Sequence, residues 1–378
     1  MTTKRPLPLH GVRVLDLTRV LAGPFCTGLL ADLGADVLKV EPAGGDDYRN
    51  VGPFVNGESV LFQVVNRNKE GIALDLKTEA DLKQLYRLVE TSEVFVENFR
   101  PGVTARLGVD YATLSRINPK LVYVSISGFG QEGPYAERPA YDLIMQALTG
   151  LMSATGDPAG APTMMGEAIG DLSAGLFGAL GTVSALYEAA RSGQGQHLDI
   201  AMLDSLFTLM PMSLSRYLAS GEAPRRVGNR HSMSAPFGVF EAGDGSFVIA
   251  VLNEKLFRTF CSVIGQPQLA DDPRYGSDSL RAANEASLRE AIETWSRARS
   301  VAACLDALQA AGVPSAPVWS IKDLLESPIA AERGLVDRVE HPVIGPLALA
   351  HQPIRFSAHD RRSPTLAPPL AGTAGDRR

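Results

Sequence analysis

The first 130 residues alternate between two hydrophobic periods, and this limits the fold more than any other feature of the chain. Gly11–Thr18 (GVRVLDLT) reads as a buried strand, Pro24–Leu33 as a helix and Ala35–Glu41 as a second strand. Gly71–Leu76 is strand-like, Thr78–Glu90 is an amphipathic helix, and Glu93–Phe99 and Leu121–Ser127 are two further strands. Strands that alternate with helices are joined by right-handed crossovers, so a mostly parallel α/β sheet with helices on both faces is expected. Ligands of such sheets bind beyond the carboxyl ends of the strands.

The alternation breaks down later. Asp171–Ala190 is the longest helical pattern, and Gly175, Gly178 and Gly181 give it a stripe without side chains on which another backbone can pack. Gly193-Gln194-Gly195 ends it, and His197–Met202 is strand-like again. Phe237–Leu252 reads as a hairpin turning at Gly243-Asp244-Gly245, with helices following to about Leu325. At 378 residues the chain is too long for one ordinary core. The expected division is a Rossmann-like large domain at 1–202, a linker at 203–230 interrupted by Pro211 and Pro224, a smaller α+β domain at 231–325, and a return to the large domain at 326–378. The Pro- and Ala-rich tail from Ser363 should fray or drape over the surface.

Several functions are disfavoured. A formal net charge of −6 supplies no broad cationic face, so no nucleic-acid partner is expected. Cys26, Cys261 and Cys304 are far apart and odd in number, which points to neither a disulfide framework nor a paired-cysteine metal site and fits a reducing compartment. The most membrane-like run, Leu172–Tyr187, is studded with Gly, Ser and Thr and reads as a buried helix. No signal-like apolar stretch follows Met1–His10, so a cytoplasmic location without a membrane partner is expected.

Gly128-Phe-Gly-Gln-Glu-Gly133 matches the GxGxxG pattern of dinucleotide sites, directly after a predicted strand. That pattern works only when a helix opens at its third glycine and aims its first amides at a pyrophosphate. Pro134 and Pro139 follow here, and no helix can begin before about Tyr141. The match is therefore a decoy.

A series of stretches in one order resembles the class III CoA-transferases, the family of formyl-CoA transferase, carnitine CoA-transferase and α-methylacyl-CoA racemase. They are Leu15-Asp-Leu-Thr18 with Ala22-Gly-Pro24, Gly34–Glu41, Asn66-Arg-Asn-Lys69 leading to Leu74–Lys77, and Val96–Gly102 with Arg106. Ser127–Pro134, Tyr141-Asp142, and Gly170-Asp171 followed by the small-residue helix and Gly193–Gln196 complete it. The resemblance spans about residues 8–360. It implies a Rossmann-like large domain, a small domain between its two chain segments, and two chains interlocked as a homodimer.

The resemblance makes Asp171 the catalytic carboxylate. An aspartate that opens a helix is ordinarily only an N-cap. Coenzyme A transfer, however, needs a group that can form an anhydride with an acyl group and then a thioester, and a carboxylate does both. At an ordinary pKa near 4 it would be ionised without a base. Glycines at 166 and 170 would let substrate approach, and Glu167 is a nearby second carboxylate. By the same resemblance Leu21, Ala22, Leu74, Asp75, Leu76, Lys77, Asn98, Phe99, Arg100, Arg106, Arg138 and Tyr141 would line the path of coenzyme A. Pro42 stands where formyl-CoA transferase has an arginine near the adenine, and Arg49 is the alternative cation there.

The substrates implied are CoA esters and small carboxylic acids, with no permanently bound cofactor. The family's racemases use a His–Asp pair, whereas this chain has Tyr141-Asp142, and tyrosine is a poor base at neutral pH. Transfer is thus favoured over racemisation; a non-catalytic binder of CoA esters is the remaining alternative. Arg230 and His231, just before an apolar segment, are the candidates to pair with a second substrate carboxylate, which points to a dicarboxylic acid with succinyl-CoA as donor.

Overall fold

The computed structural model describes residues 5–370, which fall into two compact units. The larger holds the described chain up to Leu151, Met164–Ala219 and the stretch from Ala330; the smaller holds Met152–Thr163 and Ser220–Ile329. Residues 203–219, read above as linker, instead form helix Met202–Thr208 and most of helix Pro211–Ser220, with Met202 and Leu206 in the core of the larger unit. Pro211 does not interrupt this stretch. It opens the second helix, where a missing N–H costs nothing.

The larger unit is built on six parallel strands: β1 (Arg13–Asp16), β2 (Asp36–Glu41), β3 (Lys69–Ala73), β4 (Val94–Glu97), β5 (Val122–Ser127) and β6 (His197–Ala201). Their order in the sheet is β3-β2-β1-β4-β5-β6, the Rossmann-like arrangement expected. The chain reverses direction across the sheet between β1 and β4, and a crevice opens there past the strand ends.

Helices α1 (Ala22–Asp32), α2 (Glu79–Val89), α3 (Asp142–Leu148) and α4 (Ile169–Ser192) matter most for the site. One face of the sheet buries Val94, Val122 and Val124 with Leu30 of α1 and Ala174 and Ala179 of α4. The other buries Phe95 and Tyr123 with Leu85 and Val89 of α2. The glycine stripe of α4 is the reason α1 and α4 touch. A Cβ on Gly175 would lie 2.7 Å from the Ala22 carbonyl, and one on Gly178 would lie 3.1 Å from Cys26 Sγ. By length and composition alone α4 could cross a membrane, but Gly175 and Gly178 pack against α1 and Gly181 faces Leu198 and Ile200 of β6. After Gly133 the chain stays irregular until α3 opens at Asp142, so no helix caps the GxGxxG match.

The smaller unit has an antiparallel sheet of β7 (Phe237–Glu241), β8 (Ser246–Ala250) and β9 (Ser315–Pro317), in the order β9-β8-β7. Phe240, Phe247, Phe257, Phe260 and Trp295 fill its core. After it, the chain forms a hairpin of β10 (Val336–His341) and β11 (Gly345–Ala350) in the larger unit, which the sequence reading did not anticipate. Of the proline-rich tail, the described part is docked. The Thr365 amide donates to Asn68 Oδ1 at 2.7 Å, and the Ala367 amide to Gln63 Oε1 at 3.1 Å. The remainder of that tail, 371–378, lies outside the described residues.

Candidate active site

Asp171 stands in the first turn of α4, three residues inside the Ala168 N-cap position, and makes no cap of its own. It is a partly buried carboxylate beside the start of α1. Burial pushes its pKa up from 3.8 to about 7, the negative charge of Asp142 adds to the rise, and a hydrogen bond from the Ala22 amide opposes it. This corrects the expectation of an ordinary carboxylate with a pKa near 4. The amide and the helix dipole do not offset the lost hydration and the neighbouring charge.

A buried charge network shapes the segments around this carboxylate. Lys39 Nζ, on β2, lies 2.8 Å from Asp46 Oδ2 and donates to the Thr18 carbonyl at 2.8 Å. Asp46 Oδ1 in turn accepts from the Val20 and Tyr48 amides, both at 3.0 Å. The clip holds Val20 at φ 68°, a left-handed conformation that costs a β-branched residue about 1–3 kcal/mol. The strained residue leads directly into Leu21 and Ala22, the approach to Asp171. Tyr48 also feels Asp171: burial raises its phenol to about 12, and the charges of Asp171, Asp46 and Asp142 contribute. The sequence reading missed Tyr48, which lies in a Gly/Asp-rich turn with no periodic signal.

The predicted coenzyme A residues divide into groups. Leu74, Asp75, Leu76, Lys77 and Phe99 line one cleft of ≈ 220 Å³, together with Leu17, Arg19 and Pro42, past the ends of β1, β2, β3 and β4. Leu21 and Ala22 are buried at the start of α1, next to Asp171. Asn98 ties the loops after β1 and β4 together, its side chain accepting from the Arg19 amide at 2.9 Å and donating to the Arg19 carbonyl at 2.8 Å. The Arg19 guanidinium lies over the Phe99 ring at 5.1 Å and 3.7 Å from Asp47, so Arg19 is a cleft cation that the sequence reading overlooked. Arg100 and Arg106 are exposed, and Arg138 stacks over Tyr135 at 4.0 Å. Tyr141, 68% exposed, precedes α3.

Three expectations change. Arg49 is not a spare cation for an adenine: its guanidinium is paired with Glu41 at 2.7 and 2.9 Å and stacked over Phe62 at 3.8 Å. Arg230, in the smaller unit, is committed to Glu285 at 2.6 Å and to the Val227 carbonyl at 3.0 Å, while His231 packs edge-on against Phe237. Gly170 makes room for α3 rather than for substrate, since a Cβ there would lie 3.0 Å from Asp142 Oδ1 and 3.2 Å from Met145 Cβ. Glu167 is exposed and its carbonyl faces Gln146.

The profile of CoA-transferase family III matches residues 9–374. The chain belongs to CoA-transferase family III. It is 44% identical to the acetyl-CoA:oxalate CoA-transferase of Acetobacter aceti, over 93% of this chain and 90% of the relative. It is 40% identical to the succinate–glutarate CoA-transferase of Agrobacterium fabrum, over 97% and 94% of the two chains. A crystal structure of a CAIB/BAIF family protein from Brucella suis superimposes with a TM-score of 0.85 at 37% identity, covering 97% of each chain. The protein is thus an enzyme, a class III CoA-transferase, and its relatives act on CoA esters. For a transferase the site chemistry is coherent. Among the described residues, the groups acting on Asp171 include no cation to hold it as a structural ion pair.

Proposed function

We propose that the enzyme moves coenzyme A from succinyl-CoA to a free dicarboxylic acid, with Asp171 as the covalent carrier. The carrying observation is the state of Asp171: a partly buried carboxylate in the first turn of α4 that accepts from the Ala22 amide, with a second acid, Asp142, and no cation among the described groups that act on it. Its carboxylate attacks the thioester carbonyl, giving an acyl-aspartyl anhydride and CoA thiolate. The thiolate attacks the aspartyl carbonyl, giving aspartyl-CoA thioester and free succinate. The acceptor carboxylate then displaces CoA to form a second anhydride, and the thiolate returns to the acceptor's acyl carbon, leaving the new CoA ester and free Asp171. The Ala22 amide is placed to stabilise negative charge on a carboxyl oxygen during these steps.

The cleft lined by Leu74–Lys77, Phe99 and Arg19 is the proposed seat of the nucleotide, with Arg100, Arg106 and Arg138 as flanking cations. The dicarboxylate assignment draws on relatives named for glutarate, mesaconate and oxalate. We place Arg230 and His231 outside direct substrate contact, since Glu285 and Phe237 already engage them. A cytoplasmic homodimer fits two features of the chain: its buried free cysteines, and the exposed apolar residues Leu176, Leu180 and Tyr187 of α4 with Phe207 and Leu209 nearby.

The experiment is an acceptor panel: succinyl-CoA with glutarate, mesaconate, oxalate and monocarboxylates of matched length, products read by mass spectrometry. Dicarboxylates should accept at least about tenfold faster, because an unpaired buried binding group penalises the acid lacking its partner. Equal rates for both classes would remove the dicarboxylate assignment.

A further inference from the structure

Asp142 opens α3, and both of its carboxylate oxygens are engaged. Oδ1 accepts from the Gly170 amide at 2.7 Å, and Oδ2 accepts from Gln146 Nε2 at 2.7 Å. Gln146 is fully buried; its Oε1 accepts from the Met165 amide at 2.8 Å and its Nε2 also reaches the Glu167 carbonyl at 3.4 Å. The two side chains therefore grip the segment 165–170 at three points, immediately before the residue that carries the acyl group. Gly170 allows the grip to close, since any Cβ there would press on Asp142 Oδ1 and Met145.

We propose that Asp142 is a positioning residue for the transfer: with Gln146 it anchors the turn bearing Asp171 and brings a second acid to that turn. The inference rests on Asp171 being the carrier. Among the described residues, the groups that act on Asp171 or feel its charge are the Ala22 amide from α1, the Tyr48 phenol from the turn 47–50 and Asp142 from α3, and of these Asp142 carries the full negative charge. The consequence is a more basic, and hence stronger, carboxylate nucleophile that is ionised in only part of the molecules at neutral pH.

The test is the pH profile of kcat/KM for wild type, Asp142→Asn and Gln146→Met. In the wild type kcat/KM should rise with pH through about 7, the pKa of Asp171. Asp142→Asn keeps an acceptor for the Gly170 amide but removes the charge, so the acid limb should move down by at least about one pH unit. At pH 6 its rate relative to its own plateau should then exceed that of the wild type about fivefold. Gln146→Met keeps the charge and loosens the anchor, so kcat should fall while the limb stays in place. An unmoved limb in Asp142→Asn overturns the proposal; should that variant fail to fold, an unchanged kcat in Gln146→Met does so. Mass-spectrometric trapping of acylated Asp171 in wild type separates the two readings. No label there sinks the carrier assignment, whereas a label with an unmoved limb sinks only the role of Asp142.

Discussion

Two aspartates withdrawn from water to different degrees in the larger unit show opposite solutions to one physical problem. Asp16, at the end of β1, is fully buried, yet Lys69 Nζ lies 2.9 Å from its Oδ2 and Thr27 Oγ1 donates at 2.7 Å. Burial alone would raise its pKa, but Lys69, Lys39 and the hydroxyls of Thr18 and Thr27 outweigh it and bring the carboxyl to about 2. Asp171, partly buried, has an amide and another acid beside it instead, and its carboxyl rises to about 7. Compensated charge holds a carboxyl well below its ordinary pKa, and uncompensated charge lifts it, which on the proposed function suits a reactive group. The scaffold charges are functional at one remove, because Lys39 and Asp46 hold the segments from which Ala22 and Tyr48 approach the site.

The contrast is sharpest in stability. Asp16→Asn should cost the most, about 3–5 kcal/mol at neutral pH, because it leaves Lys69 buried without its counter-charge. Its folded pKa is depressed, so the stabilisation it supplies is present above the unfolded value of 3.8 and lost as pH falls through about 2. The difference between variant and wild type in urea unfolding should shrink over that window. Asp171→Asn should act in the opposite direction and more weakly, stabilising the fold by up to a few kcal/mol above pH 7 while abolishing transfer. Its folded pKa is raised, so the wild type bears the full cost of ionisation above about 7, and the cost disappears as pH falls toward 3.8. Changes of the same sign in both variants would break the comparison.

The same contrast explains what could be read in the sequence. The strands of the parallel sheet and the small-residue helix were legible because each has a local signature: a period or a glycine spacing. The cleft residues Leu74–Lys77 and Phe99 were legible as motif positions, and they converge on one cleft. The compensation was not legible. Asp16, Lys39 and Lys69 come from three different strands, and only the register of the sheet brings them together. Lys69-Glu70 at the head of β3 resembles a solvated pair, so that strand was placed two residues late. Arg49 and Arg230 failed as free cations for the same reason: their partners Glu41 and Glu285 cannot be assigned from one-dimensional spacing. Asp142 was noted as part of a motif, but its hold on Gly170 depends on α3 and α4 meeting, which the sequence does not show.

The most direct measurement of the central claim is trapping of the acylated enzyme. Wild-type protein incubated with succinyl-CoA and hydroxylamine, then digested and sequenced by mass spectrometry, should lose activity in step with formation of a hydroxamate on Asp171. Asp171→Asn should acquire no such label. A hydroxamate on Glu167 or Asp142 in its place, or full inactivation with Asp171 unmodified, would contradict the assignment of Asp171 as the group that carries the acyl chain and coenzyme A.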